Sequence, residues 1–224
     1  MANRAYASIW LREFPEEALL ENWGKFLATV PHSSQRHGFS CLSIHAVDEA
    51  ESPIFEQDLR SIDADAGTVV ELTSNHVHGD CSYETQAAWD LWVYDPASLR
   101  WELRPQQLDL HCFGEDFGAG DWRKNGHFLV DAGFEHFFTG HAGLLGRGDP
   151  DRAEIRHPDE QRFVSLMSQP QNLNTYREKT QENIRKLYEW MRKVEAALPV
   201  ARTSLWSEGE DNFEARVEEI LAKR

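Results

Sequence analysis

The sequence predicts an α+β fold: a ferredoxin-like βαββαβ body with an extended antiparallel sheet, followed by a C-terminal helical region. Three observations lead to this prediction. Segments of period two and segments of helical period follow one another in the order strand, helix, strand, strand, helix, strand. A long aromatic hairpin comes next, and from Pro158 onward the apolar spacing is helical. We therefore expect an α+β body at residues 1–150 and a helical C-terminal region at residues 151–224, packed on the body.

The first strand and first helix are the best-defined elements of the predicted body. Small and apolar residues alternate with polar and aromatic ones over Arg4–Phe14, which is typical of a strand. Pro15 then begins a helix, with Glu16 and Glu17 in its first turn, where the helix dipole favours negative charge. We expect the first two strands to run parallel, joined by a right-handed crossover through this helix. The other elements before the hairpin are strands at Phe39–Val47 and Pro53–Leu59 and a helix at Ile62–Val77, for which a strand at Thr68–Leu72 is the alternative.

The hairpin carries much of the aromatic content of the chain. Its first strand places Trp89, Leu91 and Val93 on one face, and Asp90, Trp92 and Tyr94 on the other. The sequence at residues 95–98 suits a turn, with Asp first and Pro in a central position. The return strand covers Trp101–Phe113. Because both faces are apolar, we expect each of them to be covered.

The C-terminal region shows one narrow apolar stripe along a long helix. Apolar residues recur at steps of three and four from Leu173 to Leu198, and Pro199 ends the helix. A last short helix begins near Ser207 or Asp211. The stripe has two interpretations: it packs on the sheet of its own chain, or it pairs with a second copy. The protein is accordingly expected to be a monomer or a homodimer.

Charge and composition exclude several classes of partner. Residues 152–224 hold 13 basic and 13 acidic residues, so residues 1–151 hold 10 basic and 25 acidic residues and the whole net charge of −15. An acidic body repels nucleic acids and anionic membranes. No run approaches the ~18 apolar residues that cross a bilayer, and no signal peptide is visible. Three cysteines without C-x-x-C spacing indicate a reducing, cytoplasmic location.

The hairpin and its return strand carry a candidate metal site. Asp109 and His111 share a strand face, and Asp90 is expected on the same face of the partner strand. Carboxylates with a histidine form the ligand set of several hydrolytic or oxidative metal sites. A further ligand would have to come from elsewhere. The candidates for it are His127, Asp131, His136 and His141. The alternative interpretation is a set of polar residues hydrogen-bonded around an aromatic sheet.

Other motifs point to chemistry less specifically. The glycine-rich stretch Gly140–Gly148 resembles a phosphate-binding loop, but it lacks the terminal Lys-Ser/Thr, and two aspartates follow it, so we interpret it as a linker. No Gly-x-Ser-x-Gly motif is present. Cys81 and Cys112 fall on neighbouring strands, where small buried thiols are usually inert. Glu115 and Asp116 are an acidic pair that no pattern singles out for acid–base catalysis.

Four short motifs resemble a family of uncharacterised bacterial proteins. They are Trp89-Asp90-Leu91-Trp92, Cys112-Phe113-Gly114, Leu205-Trp206-Ser207-Glu208 and Asn212-Phe213-Glu214. The resemblance implies no activity, cofactor or partner.

We therefore expect a cytoplasmic, non-catalytic binding or interaction module without a cofactor. Its partner would be a protein, with the acidic body docking on a basic surface, or a small molecule held between sheet and helices. The alternative is a metal-assisted hydrolase or another small-molecule enzyme. That enzyme would bind a divalent metal through Asp90, Asp109 and His111.

Overall fold

The protein is built on one large antiparallel sheet. A computed structural model describes residues 3–95, 98, 100–140 and 158–222. Within these residues the sheet has seven strands, in the order β3-β2-β4-β5-β6-β1-β7. Their bounds are β1 Arg4–Leu11, β2 Phe39–Ala46, β3 Phe55–Asp58, β4 Cys81–Asp95, β5 Arg100–Phe113, β6 Phe128–Phe134 and β7 Val200–Ser207.

The mixed α and β content and the extended antiparallel sheet agree with the prediction, but the ferredoxin-like topology is not confirmed. The sheet is larger than that fold requires, and every strand pair in it is antiparallel. Strands β1 and β2 run in the same direction, as expected, because four antiparallel pairs separate them in the sheet, but they are not neighbours. Strand β1 instead pairs with β6 and β7, on the far side of β4 and β5. The helix after β1 therefore carries the chain across the sheet rather than to a neighbouring strand.

Most of the helices pack on one face of the sheet and enclose the core. The structure has α1 Glu16–Leu27, α2 Ala66–Thr73, short turns α3 Trp122–Asn125 and α4 His136–Thr139, then α5 Pro158–Met167, α6 Pro170–Ala197 and α7 Phe213–Ala222. The centre of the core is aromatic. Phe26 stacks on Phe128 at 4.5 Å between ring centroids, and Trp190 lies 6.2 Å from Phe26 and 6.0 Å from Trp89.

Local sequence accounts for the helix starts. Glu16 and Glu17 occupy the first turn of α1 after Pro15, as predicted, and the side chains on its inner face, such as Trp23 and Phe26, are buried. The second helix begins at Asp65, whose carboxylate accepts a hydrogen bond of 2.8 Å from the backbone N–H of Thr68.

The hairpin extends beyond its neighbouring strands. Strand β4 pairs with β2 only as far as Ala87, and β5 pairs with β6 only over residues 109–112. Trp89 and Leu91 share one face, as predicted, and this face is buried in the core under the helices. The opposite face of the hairpin is covered near its tip. There Lys179 of α6 lies 3.7 Å from the centre of the Trp92 ring, and Trp101 contacts Tyr176.

The C-terminal region is not purely helical, because it contributes β7 to the sheet. Between α6 and α7 the chain returns to pair with β1 from Ala5 to Leu11. Residues of both predicted regions share a single hydrophobic cluster, including Trp23 and Leu110 from the body and Leu187 and Val217 from the C-terminal region. The boundary that we predicted near residue 150 lies outside the described residues.

Candidate functional site

The face of the sheet opposite the core, which we call the open face, presents an ordered surface of mostly polar side chains. The strand register places its side chains in two rows that each cross all seven strands. The Glu84 row consists of Glu56, Ser43, Glu84, His111, Leu129, Ser8 and Ser204, and the Asp109 row of Asp58, Cys41, Gln86, Asp109, Asp131, Tyr6 and Trp206. Apart from the buried Ser8, these side chains are half-exposed or exposed.

The segment after β5 covers one end of the open face. Phe117 stacks on Phe113 with 6.0 Å between ring centroids, and the carbonyl of Trp122 accepts a hydrogen bond from Trp10 Nε1 at 2.9 Å. Gly114 permits this turn, since a Cβ atom there would lie 2.3 Å from the carbonyl oxygen of Gly79. The Glu84 row therefore lies next to the covered end, and the Asp109 row lies two residues further along each strand.

An arginine organises the centre of the Asp109 row. Arg4 Nε lies 2.5 Å from Asp131 Oδ2, and its Nη2 lies 3.6 Å from Asp109 Oδ2. Both carboxylates are fixed a second time: Asp131 accepts the backbone N–H of Gly133, and Asp109 accepts Gln107 Nε2. Burial raises the pKa of Asp131, against the hydrogen bonds from Arg4 and Gly133. The arrangement is a fixed pair of carboxylates that share one cation.

The two predicted site residues of β5 do lie on this face. His111 stands beside Asp109, with its ring stacked on Phe113 at 6.0 Å, and it is directly opposite Glu84. Near them, burial and the charge of Glu84 raise the pKa of the Cys41 thiol to about 11. The thiol is therefore protonated at neutral pH, which leaves it a poor nucleophile.

Asp90 does not join Asp109 and His111. It pairs with Pro105, four positions along the hairpin from the Gln86–Asp109 pair, a separation of about 13 Å at strand rise. Its carboxylate accepts hydrogen bonds from Ser33 Oγ at 2.6 Å and from the backbone N–H and Oγ of Ser34. Burial raises the pKa of Asp90, but these hydrogen bonds outweigh burial and hold the pKa below its ordinary value. Asp90 therefore anchors the loop after α1 to the hairpin.

The proposed further metal ligands are also dispersed. His127 is buried and accepts the backbone N–H of Leu11, Asp131 binds Arg4, and His136 stacks on Phe134. His141 lies outside the described residues, as do residues 141–148 of the glycine-rich stretch. Over the described part of the chain, no group of three or more His, Cys, Asp or Glu side chains is arranged to hold a metal ion.

Two cysteines and an acidic pair were the remaining candidates for chemistry. Cys81 and Cys112 are buried, and burial raises the pKa of both thiols, that of Cys81 to about 11. Glu115 and Asp116 are exposed in the turn after β5. The placement of the two cysteines is that of core residues.

At the β1–β7 end, the open face changes character from acidic to aromatic and cationic. The Arg202 guanidinium lies 3.7 Å from the centre of the Trp10 ring, and Trp206 stacks on Tyr6 at 4.3 Å. Sequence reasoning missed this region because β7 was assigned to no element. The alternation of Arg202, Ser204 and Trp206 with Thr203 and Leu205 is the signal that would have predicted the strand.

Comparison with known proteins gave no relative: no protein-family model matches the chain, and no curated protein or solved structure matches it either. Among the described helices, none combines the length and apolar character that a membrane span requires.

Proposed function

We propose that this protein is a non-catalytic interaction module that binds a basic partner segment through the acidic part of the open face. The observation that carries the proposal is the pair of polar rows that the helices leave uncovered. A seven-stranded sheet presents them on a rigid surface, so little conformational entropy is lost when a partner binds.

The charges of this surface favour a cationic partner. The strands β3 to β6 contribute the carboxylates of Glu56, Glu84, Asp109 and Asp131, whereas Arg4 is the cation that lies among them. Asp58 is locally paired with Arg60 at 2.6 Å. Electrostatic complementarity of this kind raises association rates and selects partners by charge.

The spacing of the carboxylates suits an extended lysine- or arginine-rich segment. Glu56 and Glu84 flank Ser43 from neighbouring strands, which separates them by about 10 Å at the usual distance between strands. In the described residues neither of these two side chains has an ion-pair partner, so both are free to bind one. Asp109 and Asp131 hold Arg4 between them. Their carboxylates add negative charge on the same face as the two glutamates.

The test measures binding of a fluorescein-labelled nonalysine peptide by anisotropy, at low salt and at about 0.15 M salt, where charges are screened beyond roughly 8 Å. We expect saturable binding that weakens with salt. The double variant Glu56→Gln/Glu84→Gln should bind about tenfold more weakly, because each exposed pair is worth about 0.5–1 kcal/mol.

A matched control removes two carboxylates on the helical side of the molecule, Glu71→Gln and Glu189→Gln, both exposed. This double variant should keep its affinity within about twofold. If both double variants lose affinity equally, the peptide responds only to the net charge of the protein, and the proposal is wrong. Absence of peptide binding at low salt would contradict it as well.

A further inference from the structure

We propose that the cleft over the open face of β1 and β7 is a binding site for a small anion that carries a flat ring. The cleft has a volume of about 430 Å³, with Trp10 and Trp206 in its walls and Ser8 and Ser204 along its floor. This volume falls in the range of roughly 300–1,000 Å³ that is usual for small-molecule sites. The site is separate from the acidic surface of the proposed function and opposite to it in charge.

The cation at one end of the cleft is held in place. Arg202 stacks on the face of Trp10, and Trp10 is itself fixed by its hydrogen bond to the carbonyl of Trp122. A guanidinium that stacks on an aromatic ring still presents its N–H edge, which matches the two oxygens of a phosphate or carboxylate. Because the stack already restricts the Arg202 side chain, little side-chain conformational entropy is lost when an anion binds to it.

The aromatic wall at the other end is equally well fixed. One face of Trp206 lies against Tyr6 with an angle of 18° between the rings, and Trp206 Nε1 donates to Ser8 Oγ at 2.9 Å. Tyr6 is held in turn by its hydroxyl, which donates to Glu208 at 3.0 Å. Trp206 nevertheless remains 37% exposed, which is unusual for a tryptophan with two fixed contacts. A flat ring can stack on what remains uncovered.

The charge of the cleft is the opposite of the charge of the molecule. None of its eight lining residues is acidic, although the chain has 38 acidic residues and a net charge of −15. Arg202 and Lys124 both line it, and within the described part of the chain neither forms an ion pair. Two cations without counter-ions and a fixed aromatic wall together select a ligand that has both an anionic group and a ring.

The experiment uses adenosine 5′-monophosphate and indole-3-carboxylate as ring-bearing anions, with adenosine, indole and inorganic phosphate as their parts. Isothermal titration calorimetry measures affinity, and ¹⁵N-labelled indole resonances locate the ligand. We expect at least one ring-bearing anion to bind about tenfold more tightly than either of its parts. The Nε1 resonances of Trp10 and Trp206 should shift, whereas that of the buried Trp190, which donates to Thr29 Oγ1, should not.

Paired variants separate the cleft from general electrostatics. Lys124→Gln/Arg202→Gln should lower the affinity for the anion about tenfold and leave the affinity for the neutral ring unchanged. Arg192→Gln/Lys193→Gln removes two exposed cations from α6 and should change neither affinity. Equal losses in the two double variants would overturn the proposal. So would equal affinities of wild type for an anion and its neutral ring, or a lack of shifts at Trp10 and Trp206. None of these outcomes depends on the binding of nonalysine.

Discussion

At the scale of single residues, His127 is the clearest case of a side chain whose state the fold imposes. Its ring lies between Phe14 and Trp122, with centroid distances of 4.7 Å and 4.5 Å, and it is 3% exposed. The backbone N–H of Leu11 donates to Nδ1 at 3.0 Å, so the ring is neutral and carries its proton on Nε2. Burial lowers the pKa of His127 to about 4.

This burial predicts acid sensitivity. The folded-state pKa lies below the ordinary value of 6.5, so between these pH values the unfolded chain binds more protons and stability falls as pH decreases. From pH 7 to pH 5 the contribution of His127 should fall by about 2 kcal/mol. Urea denaturation at both pH values measures it. His127→Gln, which can still accept from Leu11, should show a correspondingly smaller pH effect; identical pH effects would contradict the assignment.

Part of the candidate site could be predicted at this scale. Alternation along β5 is enough to place Asp109 and His111 together on one face, and the structure has them there. Alternation also gives Asp90 the same parity, but it cannot show that Ser33 and Ser34, 57 and 56 residues away, bind its carboxylate. The ion pair of Arg4 with Asp131 escaped notice for the same reason, because it depends on β1 lying beside β6.

At the scale of elements, the exposed edge of β4 determines how the long helix is used. Beyond Ala87 no strand pairs with β4 on its β2 side, and α6 crosses there after the loop that Asp90 anchors. Asn183 of α6, which is 1% exposed, supplies the hydrogen bonds that a neighbouring strand would otherwise make. Its Oδ1 accepts a hydrogen bond from the backbone N–H of Trp92 at 2.8 Å, and its Nδ2 donates to the carbonyl of Trp92 at 3.0 Å. Lys186 donates to the carbonyl of Asp90 one turn later. The edge is thereby protected from pairing with another chain.

Replacing this amide should be costly. Asn183→Leu removes the partner of the half-buried backbone N–H and C=O of Trp92 and of the buried carbonyl of Phe137, and we expect a loss of about 3 kcal/mol in the free energy of unfolding. Asn174→Leu, at an exposed position of the same helix, should change that free energy by less than about 0.5 kcal/mol. Chemical denaturation of the two variants checks this. A small effect at Asn183 would mean that water replaces the amide at the strand edge.

At the scale of the whole molecule, the C-terminal residues complete structures that the N-terminal residues begin. Strand β7 covers the edge of β1, and Trp190 of α6 packs in the same aromatic cluster as Phe26 and Trp89. The apolar stripe of α6 is buried within its own chain at Ile184, Leu187 and Val194, which favours the first of its two interpretations.

We therefore expect the chain to unfold in one cooperative transition. Because residues 3–140 and 158–222 contribute to one hydrophobic cluster, neither part keeps its core when the other unfolds. Urea unfolding followed by far-ultraviolet circular dichroism and by tryptophan fluorescence should give coincident curves. Two separated transitions would instead support independent domains divided near residue 150.

The sequence by itself determined the local structure of this protein. Hydrophobic periodicity, together with the residues that begin and end helices and turns, located β1, α1, the β4–β5 hairpin and the long helix. These signals are local, because side-chain alternation, proline and capping act over a few residues. Tertiary structure alone decided the neighbours of β1, including its pairing with β7, and the separation of Asp90 from Asp109. These features depend on contacts between residues far apart in the chain. A sheet edge accepts whichever strand the packing of the helices brings to it, and local sequence does not encode that choice.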